Sequence, residues 1–488
     1  MRKLLILLAL LAPGLTAFAA PVKDTWLSVL LDGRKIGNMH VERVVRDNRV
    51  VTVQTMNVEL DRAGIKVPLG TSETDTETLA GEPLAFSSRT SISGIASVVH
   101  GTRRPDGKFD VTSEVGGAKS NRVVEWPHNA LLAEGLRLAE QRNGLIAGTK
   151  FTEWAFQVDS LDAVEIQSTI GKREPVELPD GTQLATQIEQ IIHLPGSPTK
   201  SVVWVDAGLN LKKLTLPMMG YELTMLACSQ TCAQAPNQSA DILSHALAHA
   251  PAAVSADALE HGLVISVSAN DDGTALQFVQ TDEQSVATHG NTVTLRIAPL
   301  SPNAKPGRET PPQAADSQAN DWLQSNAPVI RKLAEKAAGK AQTSAVQMHD
   351  LQEFVRRYIQ NKNLSIGYAS ALEVANKPEG DCTEHAVLLA ALGRALGIPT
   401  RVVYGLAYTD HYAGGDHVFV PHAWTQAWVN GRWQSFDAAL PGFDAGHIAL
   451  SYGDGDPWRF FAGMDTLGRM RIDSVEPMHD QSPISATH

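Results

Sequence analysis

The sequence lacks any run of basic residues. Its 41 Lys and Arg stand against 53 Asp and Glu, a formal net charge of −12. An acidic chain without a basic patch is a poor partner for nucleic acid or an anionic membrane surface, so neither is expected. Solubility accounts for the acidity. Long apolar runs are missing too. The hydrophobic stretch Leu4 to Leu11 falls well short of the ~20 residues that span a bilayer, and no later segment reads as transmembrane. No internal repeat and no low-complexity tract occur. Cysteine is scarce, with only Cys228, Cys232 and Cys382. What is present is ordinary globular composition, 43% hydrophobic and 19% charged over 488 residues, enough for two to four domains.

The first residues read as an export signal. Arg2 and Lys3 supply the charge, Leu4 to Leu11 the apolar core, and Ala17-Phe18-Ala19 a small-x-small site with cleavage after Ala19. Cleavage after Ala20 would put Pro21 just beyond the scissile bond. No cysteine follows, so no lipid anchor is expected. The mature chain is expected to be periplasmic or secreted, with no membrane span. In an oxidising compartment Cys228-Ser-Gln-Thr-Cys232 is expected to close a local disulfide. Metal binding there lacks a second pair or a neighbouring histidine. Cys382 is left alone, and a lone thiol in an exported protein is a candidate for reactivity.

Residues from about 24 to 227 read mostly as strands. Trp26 to Leu31, the turn Asp32-Gly33, and Arg34 to Val41 predict a hairpin. Further turns fall at Asp106-Gly107, Asp180-Gly181 and Ala207-Gly208. One helix is predicted from His128 to Arg142. The whole reads as an antiparallel, strongly curved sheet, a scaffold or a surface for a partner protein. Residues 233 to 258 read as a linker. His245 and His249 stand there at helical spacing, without the glutamate of the zinc protease pattern, and a solvated helix face is the plainer reading. A small β segment follows, clearest at Leu263 to Val267 and Thr292 to Ile297, then a proline-rich linker, Pro299 to Asn320. Helices are predicted over Asp321 to Ala338 and Ala345 to Gln360.

The chemistry concentrates further on. Asp381 and Glu384 make a capping-box pattern ahead of an apolar helix ending near Leu396, with Gly397 and Pro399 as its stop. Cys382 would be the first helical residue, where a helix N-terminus favours the thiolate. A buried free cysteine would sit deeper in the helix and among apolar neighbours. Next, His422 to Val429, Asn430-Gly431 and Arg432 to Asp437 predict a hairpin with a two-residue turn. Residue numbers paired across such a turn sum to about 861, the sum of Asn430 and Gly431. Trp428 then faces Trp433, Gln426 faces Ser435, and Trp424 faces Asp437. His422 lies one diagonal step from Asp437, ~7–8 Å at the backbone, within reach of an imidazole and a carboxylate. Thiol, base and orienter are the parts that cysteine acyl transfer needs. His385, three residues on and on the same helix face as Cys382, could compete as base but has no orienter in register.

These residues resemble the transglutaminase-like superfamily over roughly Asp321 to Ile472. The resemblance rests on Gly380-Asp381-Cys382-Thr383-Glu384-His385-Ala386, on Arg394 to Gly405, on His422-Ala423-Trp424 and on Trp433 to Asp437. It implies a papain-like α+β core at the C-terminal end, behind a mostly-β antiparallel N-terminal part. The expected division is 1–19 signal, 20–235 β-rich domain, 236–305 linker and small β segment, and 318–475 transglutaminase-like domain. It also implies Cys382 as nucleophile, His422 as base and Asp437 as orienter. Trp424, Gln426 and Tyr368 are candidate substrate contacts, Tyr368 also a weak candidate for the oxyanion. The backbone N–H of Cys382 is the better oxyanion donor. Asp454-Gly455-Asp456 lacks the fuller calcium-loop pattern, so no metal or other cofactor is expected.

The expected function is cleavage of amide bonds in peptides or proteins of the cell envelope through a thioester. Two alternatives stay open: a crosslinking transglutaminase, in which an amine replaces water, and a non-catalytic module that binds a peptide or partner.

Overall fold

A computed structural model describes residues 23–478, except 63, 93–94, 194–197, 219, 243–245, 271–275, 302–306, 308, 363–367, 457–465 and 467. The predicted signal and His245 therefore lie outside the described residues. The chain divides into two compact units. One runs to Val115 and resumes over Lys119–Asp241, and the other comprises Gly116–Ala118 and Ile242 onward.

The first unit is one fifteen-stranded sheet. Eight strands lead in: β1 (Lys23–Leu31), β2 (Arg34–Arg46), β3 (Arg49–Arg62), β4 (Ile65–Thr78), β5 (Pro83–Ile92), β6 (Ile95–Arg103), β7 (Phe109–Val115) and β8 (Ala118–Val124). A short β9 (Ala130–Leu131) and helix α1 (Ala133–Asn143) follow. Then come β10 (Lys150–Gln157), β11 (Asp162–Val176), β12 (Gln183–His193), β13 (Pro198–Val205), β14 (Leu211–Met218) and β15 (Tyr221–Cys228). The order is β8 down to β1, then β15 down to β9. The predicted β1–β2 hairpin is present, and Asp32 and Gly33 both take the positive φ its two-residue turn requires, 47° and 76°. Burial alternates along β3 and β4, as a strand with one inward face must. Helix α1 starts later than His128 because Ala130 and Leu131 pair with Trp154 and Ala155 on β10.

The expected disulfide is absent. Cys228 and Cys232 are unbonded thiols, and both meet the Ser28 hydroxyl, at 3.6 and 3.7 Å. Burial pushes the Cys228 thiol up to about 11, which disfavours the thiolate that disulfide formation requires.

The second unit carries helices α2 (Pro328–Ala338), α3 (Ser344–Tyr358), α4 (Ala371–Asn376) and α5 (Cys382–Ala395). Its strands are β16 (Ala248–His249), β17 (Leu263–Ala269), β18 (Gln284–His289), β19 (Thr292–Ile297), β20 (Thr400–Tyr412), β21 (Gly415–Val429), β22 (Arg432–Phe436), β23 (His447–Gly453) and β24 (Met470–Pro477). One sheet runs β16-β21-β20-β23, with β22 on β21; the other runs β18-β19-β17-β24. Helix α2 opens with Pro328 at its first turn, later than Asp321, because proline suits that position and the residues before it are irregular. Helix α5 is buried from Thr383 to Arg394 and packs on β20, β21 and helices α2, α3 and α4. His249 lies on a short strand, paired with Val418, and not on the solvated helix face read from its spacing.

In the first unit Glu134 takes two hydrogen bonds from Arg43, at 2.8 and 2.9 Å, and two from Arg137, at 2.9 and 2.6 Å. All three side chains are buried. Glu134→Gln would leave both guanidinium groups buried without their carboxylate. It is expected to destabilise the unit by ~3–5 kcal/mol, read from urea unfolding followed by tryptophan fluorescence. A loss below ~1 kcal/mol would mean that water reaches the pair.

Candidate active site

The start of α5 is built as its sequence requires. The Asp381 carboxylate accepts from the Thr383 N–H at 3.0 Å and the Thr383 hydroxyl at 2.9 Å, and Glu384 accepts from the Asp381 N–H at 2.8 Å. This is the predicted capping box. Glu384 is fully buried and also accepts from the Ala369 N–H at 2.8 Å. Burial first, then the neighbouring Asp381, pushes its carboxyl up to about 8. Gly380 has φ of +149°, and a Cβ there would lie 2.3 Å from Glu384 Cγ, so only glycine fits beside the cap. Cys382 is thereby set as the first residue of α5, half-buried and in no disulfide.

The β21–β22 hairpin has the predicted register. Gln426 pairs with Ser435 and Trp428 with Trp433, across Asn430 and Gly431 at φ of 52° and 74°. Just past the end of β22, Asp437 meets His422, with Nε2 to Oδ2 at 2.7 Å. Both residues are buried. A histidine that donates from Nε2 keeps Nδ1 as its basic nitrogen. Helix α5 joins this strand one turn beyond Cys382, where the Thr425 hydroxyl donates to the Ala386 carbonyl at 2.9 Å.

Asp437 is held from several sides. Oδ1 accepts from the Ala439 and Leu440 N–H groups, at 2.7 and 3.1 Å. The carbonyls of those two residues accept in turn from Lys362 Nζ, at 2.8 Å, and from Arg356. Oδ2 takes a second imidazole, His447 Nε2, at 3.0 Å. His447 Nδ1 faces Asp444 Oδ1 at 2.9 Å. Both nitrogens of His447 thus lie against carboxylate oxygens, and although the Asp444 N–H also approaches Nδ1, at 3.3 Å, the two carboxylates favour the doubly protonated, cationic ring. Burial alone would raise the Asp437 pKa, but His422 and then His447 hold it far below the usual carboxylate range. Burial alone would lower that of His447, but Asp437 and Asp444 raise it to about 9. The sequence reading missed His447. It stands ten positions beyond Asp437, on a different strand, and no short-range periodicity links the two.

Three expected substrate contacts are placed otherwise. Trp424 is 1% exposed and donates to the Ser435 hydroxyl at 3.1 Å. Gln426, also 1% exposed, accepts from Arg401 and donates to Glu283 and Ser435. Tyr368, again 1% exposed, bonds the Tyr404 hydroxyl at 3.0 Å and the Gly455 carbonyl at 2.8 Å. All three support the site from within the core. His385 is buried too, and its Nδ1 donates to the Asp381 carbonyl at 2.6 Å. Burial lowers its pKa. Among the described residues, one group of three could bracket a metal ion, namely His422, Asp437 and His447, whose ligand atoms lie within 4.8 Å. Each imidazole already meets the shared carboxylate in a direct hydrogen bond, which accounts for the grouping without an ion.

The model of the transglutaminase-like superfamily matches residues 331–438, a span that holds Cys382, His422 and Asp437 and stops before His447. Residues 331–438 form a transglutaminase-like superfamily domain. The chain is thus mostly β, with this domain toward its C-terminal end. No curated protein matches the chain. Among solved structures, it is similar to a candidate cysteine protease of Cytophaga hutchinsonii at 16% identity and a TM-score of 0.28, over 44% of this chain and 87% of that one. It is also similar to a β-barrel-like protein of unknown function from Brucella abortus at 12% identity and a TM-score of 0.34, over 44% and 98%. A candidate protease of Parabacteroides distasonis matches at 12% identity and a TM-score of 0.20, over 81% and 70%.

The charge on His447 sets a pH test of the second unit. Folded, it keeps its proton to about pH 9; unfolded, only to ~6.5. Its stabilisation is therefore complete below pH ~6.5 and lost as pH rises through about 9. The stability gap between the wild type and His447→Gln, from urea unfolding at several pH values, should shrink across that window. A constant gap would mean that the ring is not charged.

Proposed function

We propose that the protein is an exported cysteine peptidase or amidase that cleaves amide bonds of peptides or proteins in the cell envelope. The observation that carries this reading is the buried His422–Asp437 hydrogen bond, on the strand against which the Cys382 helix packs. The family match over 331–438 supports a cysteine-hydrolase type of function. In this reading helices α2 to α5 and the β21–β20 sheet are the papain-like core. The N-terminal β unit recruits a cell-envelope protein, and neither nucleic acid nor a membrane span takes part. Among the described residues no helix is long and apolar enough to cross a membrane.

The mechanism follows from the parts. His422 Nδ1 takes the proton of the Cys382 thiol, and Asp437 stabilises the imidazolium. The thiolate sulfur attacks the substrate carbonyl, and the backbone N–H of Cys382 donates to the developing oxyanion. His422 returns the proton to the leaving amine as the C–N bond breaks, leaving a thioester. It then takes a proton from water, whose oxygen attacks the thioester and releases the acid and the thiol.

Cys382→Ala should lower peptide hydrolysis by at least ~10³-fold with the fold intact by circular dichroism. Activity within ~10-fold of wild type would overturn the assignment. Asp437→Asn should cost ~10²–10⁴-fold by presenting the wrong imidazole tautomer. Iodoacetamide should label Cys382 rapidly well below a free thiol's pKa of ~8.5, and His422→Ala should abolish that advantage. Equal, slow labelling of both proteins would favour a binding module. Amine incorporation into a glutamine peptide in place of cleavage would make the protein a crosslinker.

A further inference from the structure

The N-terminal unit holds a polar patch that the acyl-transfer reading does not use. It lies on the inward face of β3, β4 and β5. Thr52 and Gln54 on β3, Thr71, Glu73 and Asp75 on β4, and Ser88 and Thr90 on β5 are all less than a tenth exposed. The ladders set them side by side. Gln54 pairs with Glu73 and Glu73 with Ser88; Thr52 pairs with Asp75; Thr71 pairs with Thr90. Apolar residues close the same face at one end, Val58 and Leu60 on β3, Val67 and Leu69 on β4, and Ile92 on β5.

Six oxygens of this patch have no hydrogen-bond partner in the protein: Thr52 Oγ1, Gln54 Oε1, Thr71 Oγ1, Asp75 Oδ1, Ser88 Oγ and Thr90 Oγ1. Each such buried acceptor costs ~1–3 kcal/mol. Concentrated on three adjacent strands, they amount to more than an isolated packing fault. Among the described residues, no basic side chain forms an ion pair with Glu73, Asp75 or Glu77. Glu77 is spent on helix α1, where it accepts from the Glu134 and Gly135 N–H groups at 2.6 and 2.9 Å. Asp75 Oδ2 takes the Ala133 N–H at 3.4 Å, and Oδ1 is left buried without a partner. Glu73 has no such duty. Two carboxyl groups are thus buried against four hydroxyls and one amide oxygen.

We propose that this face of β3, β4 and β5 binds a hard divalent cation of the calcium class, with Glu73 and Asp75 as its carboxylate ligands. The donor set decides the class. Every orphaned atom is an oxygen, and no imidazole or thiol stands on this face of the three strands, so zinc and copper lack their preferred ligands. Calcium takes six to eight oxygens from carboxylates, amide carbonyls and neutral groups, and it tolerates irregular geometry. Burial decides the size. A face closed to solvent admits an ion more readily than a substrate side chain. Charge decides the valence, since two carboxylates with no basic partner match a divalent ion. This departs from the metal-free expectation drawn from the sequence, and it is independent of the chemistry at Cys382.

The test uses the full chain. Protein dialysed against chelator is titrated with CaCl2, and separately with MgCl2, by calorimetry and thermal unfolding. One Ca²⁺ per chain is expected, with a rise in unfolding temperature. Glu73→Gln keeps the shape of the side chain and caps no helix. It should weaken Ca²⁺ binding at least ~10-fold and unfold no earlier than chelated wild type, because burial, with Asp75 and Asp159 nearby, raises the Glu73 pKa and keeps the metal-free carboxyl neutral, which the amide replaces without loss of charge. Should Glu73→Gln fail to fold, Ser88→Ala replaces it as the affinity test, with a weakening expected. Wild type without stoichiometric Ca²⁺ binding would overturn the proposal and make the patch a hydrated structural feature. Unchanged Ca²⁺ affinity in the folded variant would overturn it as well, by placing the ion elsewhere. Tighter binding of Mg²⁺ than Ca²⁺ would overturn the calcium assignment.

Discussion

One buried carboxylate organises the C-terminal unit. Asp437 accepts two backbone N–H groups on one oxygen and two imidazoles on the other. Those four donors arrive from β21, from β23 and from the loop after β22. An ionised carboxylate in the core is costly unless it is met by charge and hydrogen bonds together. Here the need is met so fully that Asp437 stays ionised far below the usual range. The strands that supply the donors are held in register by the same requirement. The loop that follows cannot drift, because Lys362 and Arg356 grip its carbonyls.

The second imidazole changes the electrostatics of the site. With His422 alone, Asp437 would spend its whole charge on one ring. His447, itself a cation between two carboxylates, takes part of it. Asp444, only partly exposed, completes the chain from solvent inward.

Much of this was legible in the sequence wherever one local rule decided the matter. The capping pattern at Asp381 and Glu384 placed Cys382 at a helix start, and the Asn430-Gly431 turn set the pairing that brings His422 to Asp437. Both rest on backbone geometry over a few residues. Burial was not legible in the same way. Alternation showed that Trp424 and Gln426 share a face with His422, but not what covers that face. Over Gln426 the cover is Glu283, far away in sequence, which binds Gln426 and Ser435; over Trp424 it is Phe443 and His447. Tyr368 was misread for the same reason. The small β segment was legible as strands, yet β17 takes its outer partner from β24, about two hundred residues on. In the N-terminal unit hairpin turns announced the strands, while the β1–β15 pairing that makes one sheet of fifteen comes from the two ends of the unit.

Glycine marks the places where the site tolerates no alternative. Gly405 faces His422 across β20 and β21, and a Cβ there would lie 2.0 Å from the Ile448 carbonyl oxygen. Any side chain would push β23 outward, and β23 carries His447. Gly380 plays the matching part beside the helix cap, where Glu384 fills the space a side chain would need. Neither residue bears a reactive group. Each sets how closely the elements that do can approach, one between β20 and β23, the other between Glu384 and the turn ahead of Cys382. The constraint on this chemistry therefore lies as much in the two positions that must stay empty of side chain as in the cysteine, histidine and aspartate proposed to carry it.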